Sequence, residues 1–104
     1  MAKLFLMTSN RNSQKMVKIL WTELALEDLR IVHTYIAQDS TSCASRYIEK
    51  LLGRVRQLES FPRLGKMVPE FGIESIRELI EGNYRIVYRI NNDSFILQEF
   101  SIPQ

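Results

Sequence analysis

Between Ser75 and Ile90 the chain reads S-I-R-E-L-I-E-G-N-Y-R-I-V-Y-R-I, and this stretch narrows the possible folds more than any other. Two alternating runs flank Glu81-Gly82-Asn83. Glycine and asparagine tolerate a positive φ, so the segment is predicted to be a β-hairpin. Strand side chains alternate, which puts Tyr84, Ile86, Tyr88 and Ile90 on one face and Arg85, Val87 and Arg89 on the other. Arg77, in the first run, joins the arginine face or leaves it according to register. An apolar hairpin face needs a second layer to cover it. An arginine-bearing face can be plain solvated surface, or a site for phosphate or for a carboxylate-rich partner.

The covering layer is legible upstream. Met16 to Trp21 is strand-like, with the strand itself at Val17–Trp21. Thr22 can cap a following helix, with Glu23 near its positive end. Ala25, Leu29, Val32 and Ile36 fall at i, i+4, i+7 and i+11, and Leu26 and Tyr35 widen that stripe. Asp39-Ser40-Thr41-Ser42 breaks the pattern and supplies a second cap. Ala44, Ile48, Leu51, Val55 and Leu58 then recur every three or four residues until Phe61-Pro62, where proline ends the helix. Gly53 inside this helix suggests close packing against the first. Two amphipathic helices joined this tightly imply an antiparallel helical hairpin. Arg63 to Pro69 reads as a loop, and Ile73–Ile80, Tyr84–Ile90 and Ser94–Phe100 as strands, with a tight turn at Asn91-Asn92-Asp93. The expected fold is α+β: an N-terminal strand and a two-helix hairpin packed on a mainly antiparallel sheet of three to four strands. Residues 1–15 are polar beyond Met7 and read as an N-terminal tail, the alternative being a short edge strand at Leu4–Met7; residues 16–104 form the single domain.

A chain of 104 residues has room for one two-layer core. One cysteine, Cys43, rules out an intrachain disulfide and an all-cysteine metal site. No apolar run approaches the roughly 20 residues of a membrane span, and Leu4–Met7 is too short for a secretory signal, so a cytoplasmic protein without membrane contact is expected. A net charge of +2 does not by itself point to nucleic acid. The basic residues do cluster, with Arg54, Arg56, Arg63 and Lys66 against Glu59 alone in that segment, which could guide an anionic partner.

The residues for chemistry are few. His33 is the single histidine and reads as a partly exposed helix residue. There is no phosphate-binding glycine loop, no metal-ligand spacing and no nucleophile elbow, so no metal or cofactor is expected. Glu70, Glu74, Glu78 and Glu81 look like ion-pair partners for Arg77 and Lys66. Arg85, between Tyr84 and Tyr88, could stabilise a pentavalent phosphorane in metal-free RNA cleavage. The plainer reading pairs Arg85 with a carboxylate such as Glu78 or Glu99.

Three motifs in order, W-T-E-L-A-L-E-D-L, F-P-R-L-G-K-M-V-P-E and I-R-E-L-I-E-G-N-Y-R-I-V-Y-R-I, resemble the RelE/ParE superfamily, the toxins of type II toxin–antitoxin modules. The resemblance spans about Val17 to Phe100. It implies a small antiparallel sheet with an N-terminal helical hairpin, and one of two activities. RelE-like members cleave messenger RNA on the translating ribosome, and ParE-like members poison DNA gyrase. Both are neutralised by a cognate antitoxin, in a higher-order complex. Growth arrest and plasmid stabilisation are the expected consequences. RelE-like nucleases resemble one another in a basic sheet face with functional arginine and tyrosine residues after the last strand. Here Arg85 matches the strand arginine, but no His, Arg, Lys or Tyr follows Phe100. The ParE-like reading is therefore favoured, with the RelE-like nuclease as alternative and Arg85 its catalytic candidate. ParE members usually continue into a short basic tail, which leaves a non-toxic, antitoxin-binding member as a second alternative. The residues expected to contact antitoxin or target are Arg54, Arg56, Arg63, Lys66, Arg77, Tyr84, Arg85, Tyr88 and Arg89.

Overall fold

The computed structural model describes residues 4–7, 18–92 and 94–102. In chain order the elements are β1 (Leu4–Met7), β2 (Lys18–Thr22), α1 (Glu23–Ala37), α2 (Thr41–Ser60), β3 (Lys66–Met67), β4 (Ile76–Glu81), β5 (Tyr84–Asn91) and β6 (Ser94–Ser101). They form one sheet in the order β1-β2-β6-β5-β4-β3, with α1 and α2 packed on each other and on the sheet. Every neighbouring pair is antiparallel except β2 with β6. The expected α+β architecture is present, but the sheet has six strands rather than three or four. One extra strand lies inside the expected tail, where Leu4–Met7 pairs with the free edge of β2. The other is β3, in the expected loop, which pairs with β4 at Glu78 and Arg77. The remainder of the expected tail lies outside the described residues. The alternative of an edge strand at Leu4–Met7 is therefore the one that holds, while β3, two residues drawn in by backbone pairing, has too few side chains to show a periodicity.

Both helices start where their caps were expected. The Thr22 hydroxyl accepts the Ala25 N–H at 3.0 Å and donates to the Leu97 carbonyl at 2.9 Å, tying the start of α1 to β6. Ser40 accepts the Cys43 N–H at 3.2 Å, and α2 runs to Ser60, just before Phe61-Pro62. Gly53 does not mark close packing. A Cβ built there would meet only Arg56 Nη2, at 3.9 Å. Tyr35 does not widen the buried stripe of α1 either; it is 66% exposed.

The core joins Trp21, Leu51, Leu58, Ile86, Tyr88, Phe95 and Leu97 between helices and sheet. Trp21 stacks on Phe100, with ring centroids 5.6 Å apart. A bulge on β6 decides what reaches this core. Val87 pairs with Glu99 but Tyr88 pairs with Leu97, so Gln98 is an extra residue. Strict alternation would send Leu97 and Phe100, three apart, to opposite faces. The extra residue brings both to the core and turns Glu99 to the far face, beside Val87.

Candidate partner-binding surfaces and the Arg85 cluster

The far face of the sheet is organised around Arg85. The turn at Gly82-Asn83 pairs Glu81 with Tyr84, and that register places Arg85 opposite Ile80 on β4 and Ser101 on β6. Arg85 Nη1 lies 2.9 Å from Glu70 Oε2 and 3.1 Å from Glu78 Oε1. Its Nη2 lies 3.8 Å from Glu99, and its Nε donates to the Ser101 hydroxyl at 3.2 Å. Ser101 donates in turn to Glu99 at 2.9 Å. Arg85 is 7% exposed and Glu78 6%. Burial works against the charge on Arg85, but the hydrogen bonds it donates to Glu70 and Glu78, together with their negative charges, outweigh it and hold the guanidinium pKa above its ordinary value. Glu70 is held below the usual carboxylate range by its own backbone N–H and then by Arg85. Three carboxylates thus surround one guanidinium, with Lys66 Nζ 4.0 Å from Glu78 as the next cation. A phosphate entering here would have to displace carboxylates already bonded to the arginine, so the local field opposes an anion.

The same register takes Arg77 off this face. It pairs with Tyr88, and its guanidinium donates to the Gly65 carbonyl at 3.1 Å and the Glu74 carbonyl at 2.9 Å. The register thus settles the face of Arg77 and separates the three arginines: Arg77 is on the helix side, Arg85 is enclosed, and Arg89 is exposed. Tyr88 is a buried brace. Its hydroxyl accepts the Gly65 N–H at 2.9 Å and donates to the Pro62 carbonyl at 2.8 Å, fixing the loop after α2. Tyr84 is half-buried against Tyr47, with ring centroids 5.8 Å apart. Arg54 turns inward, 3.4 Å from Glu81, while Arg56 stays on the surface. Arg63, 3.2 Å from Glu74, and Lys66 are also exposed. Of the expected carboxylate partners, Glu74 does meet Arg77 and Glu78 does meet Lys66. Glu81 instead anchors to α2 through Arg54 and Lys50, and Tyr47 donates to its carbonyl.

Two open apolar grooves flank β5. One, of about 640 Å³, is lined by Phe61, Pro62, Leu64 and Ile90 with Arg63 and Asn92. The other, of about 470 Å³, lies between α1 and the end of β6, against Ile31, Tyr35, Tyr84, Phe100 and Ile102. Neither was anticipated. Leu24, Ile31 and Tyr35 do share a helical spacing in the sequence, but of the three only Tyr35 was assigned, and that to the core stripe.

A sequence model of the ParE toxin of type II toxin-antitoxin system, parDE, matches residues 19–102. The chain belongs to the ParE toxin family. A chain of the solved chromosomal ParDE TA system from P. aeruginosa has the same fold, with a TM-score of 0.71 over 88% of this chain and 100% of that one, at 17% identity. No curated protein sequence matches significantly.

In this ParE-family chain no described helix is long and apolar enough to cross a membrane. Among the described residues no group of His, Cys, Asp and Glu is placed to hold a metal ion. The catalytic part that a RelE-like reading gives Arg85 needs a guanidinium facing a phosphate. Here the guanidinium faces Glu70, Glu78 and Glu99.

Proposed function

We propose that this ParE-family toxin acts by inhibiting DNA gyrase, arrests growth when expressed alone in the cytoplasm, and is neutralised by a cognate antitoxin in a higher-order complex. The observation that carries the choice of target is the closed Arg85 cluster. Ribosome-dependent cleavage needs a cation free to stabilise a phosphorane, and the strand arginine that would supply it is spent on three carboxylates. An inhibitor that works by binding needs no such group. Arg56, Arg63, Lys66 and Arg89 remain exposed as its candidate contacts. A supercoiling assay with purified chain and gyrase tests the reading, and the expected result is lost supercoiling or a stabilised cleavage complex. Undisturbed supercoiling at large molar excess, together with messenger RNA cleaved on translating ribosomes, would reverse the assignment.

A further inference from the structure

Gly53 is the residue of α2 that the fold does not explain. A glycine inside a helix weakens it, because more chain freedom is lost on folding and no side chain packs. Nothing in the fold compensates here. The space around the missing side chain is open, and a Cβ built there would come no closer than 3.9 Å to Arg56 Nη2. Glycine also serves where a ligand must come close to the backbone. The surroundings of Gly53 narrow the choice of ligand.

Ser42, Arg46, Lys50, Gly53, Gln57 and Ser60 follow one another every three or four residues, so they line one side of α2 for about 27 Å. None of them carries an apolar side chain, while the opposite side of the helix buries Ala44, Leu51, Val55 and Leu58. Lys50 and Arg56, three residues before and three after, flank the Gly53 notch. Arg46 is exposed two turns earlier and donates to the Cys43 thiol at 3.7 Å. With Cys43 and Tyr47, Arg46 and Lys50 also wall a shallow groove of about 340 Å³. Glu81 lies nearer Arg54, at 3.4 Å, than Lys50, at 3.9 Å, which leaves the Lys50 side chain 64% exposed. The helical hairpin is polarised as a whole. α2 carries four cations against Glu49 and Glu59, and α1 three carboxylates against Arg30. An approaching anion is steered to the α2 side.

We propose that this side of α2 lies along the sugar–phosphate backbone of duplex DNA, with Arg46, Lys50 and Arg56 on phosphates and the Gly53 notch admitting the strand to the helix main chain. The proposal rests on the gyrase reading above and makes the DNA that gyrase holds a direct partner of the toxin. Phosphate contacts come from Arg, Lys, Ser and Gln side chains, the residue types of this stripe. An acidic protein fits worse, because a protein interface is built on an apolar or aromatic centre and the stripe has none. A single strand fits worse too, because its bases need exposed rings to stack on. Tyr47, the one aromatic residue of α2, is half-buried with its hydroxyl donated to the Glu81 carbonyl.

The test titrates a short fluorescent DNA duplex with the purified chain and follows anisotropy between about 50 and 200 mM salt. Binding is expected, with a slope of log affinity on log salt of about −3 for three phosphates. Arg46→Gln, Lys50→Gln and Arg56→Gln should each reduce that slope by about 1. Arg30→Gln on α1 removes the same charge and should leave it unchanged. Gly53→Leu should hold the strand off and weaken binding at least about 10-fold. Leucine is the better helix former, so the same variant should melt higher; a glycine that only shaped the helix would not part affinity from stability in this way. No binding at the low-salt end overturns the proposal. So does a slope that Arg30→Gln lowers as much as the α2 variants do, or wild-type affinity in Gly53→Leu. Tighter binding of a single strand or of an oligoglutamate peptide overturns it as well. Supercoiling assays separate the proposal from the reading beneath it. A wild-type chain that binds the duplex and leaves gyrase untouched refutes gyrase inhibition and keeps the DNA surface. Gyrase inhibited equally by wild type and Gly53→Leu keeps the inhibitor and refutes the surface.

Discussion

Replacing Arg85 by alanine removes the one cation at the centre of three carboxylates, and the cost falls unevenly on them. Glu70 and Glu99 have side chains 40% and 36% exposed, so water can take over and each contributes little. Glu78 is 6% exposed, and after the change only Lys66, 4.0 Å away on a solvent-facing strand, remains near it. Breaking a buried pair by removing one partner costs about 3–5 kcal/mol. With one of three carboxylates truly stranded, the lower end, about 3 kcal/mol, is expected. A domain of this size holds about 5–15 kcal/mol in all, so the variant should fold but melt early. With a urea m-value of about 1–3 kcal/mol/M, the midpoint should fall by about 1–3 M with m unchanged. The double variant Arg85→Met with Glu78→Leu removes both charges and keeps the volume, so it should return to within about 1 kcal/mol of the parent. A midpoint for Arg85→Ala that barely moves, or a double variant no better than the single one, would refute the claim that the buried Arg85–Glu78 pair stabilises the fold.

Gly53 lies in α2 with open space around its missing side chain, so Gly53→Ala should raise stability by about 0.5–1 kcal/mol; a loss in thermal melting would mean the helix is packed there after all. Gly65→Ala meets Glu78 O at 2.6 Å and Tyr88 Oη at 2.8 Å, and should cost about 1–3 kcal/mol in the same melts; no change would show that the brace from Tyr88 to the loop is soft. Burial, helped by Glu99 and Glu27, holds the Asp28 carboxyl above its ordinary value despite the Phe100 N–H bond. Its ionised form is therefore disfavoured in the fold, a penalty present above the folded pKa and relieved as pH falls through it towards the unfolded value. Asp28→Asn should remove that acid-side gain in stability, and an unchanged pH slope in urea melts across the carboxylate range would contradict it.

The helices, their caps and the hairpin at Gly82-Asn83 were legible in the sequence because each is a local rule. Capping acts within three residues of Thr22 and Ser40, helical burial repeats within one turn, and the Gly82-Asn83 turn closes on itself with Gly82 at φ +61°. The family was legible for a related reason, since its motifs are those same local signals in a fixed order. Register and pairing between distant strands decided the rest. The sum of paired residue numbers in the hairpin put Arg77 opposite Tyr88 instead of beside Arg85. A single extra residue, Gln98, swung Glu99 onto Arg85 and Phe100 into the core. Glu70 reached Arg85 from a loop whose path no periodicity encodes. The chain by itself thus determined which residues could be charged, capped or buried. Only the assembled sheet decided that Arg85 is neutralised and that Asp28 is left facing an open groove, because both depend on which strands and helices meet in space.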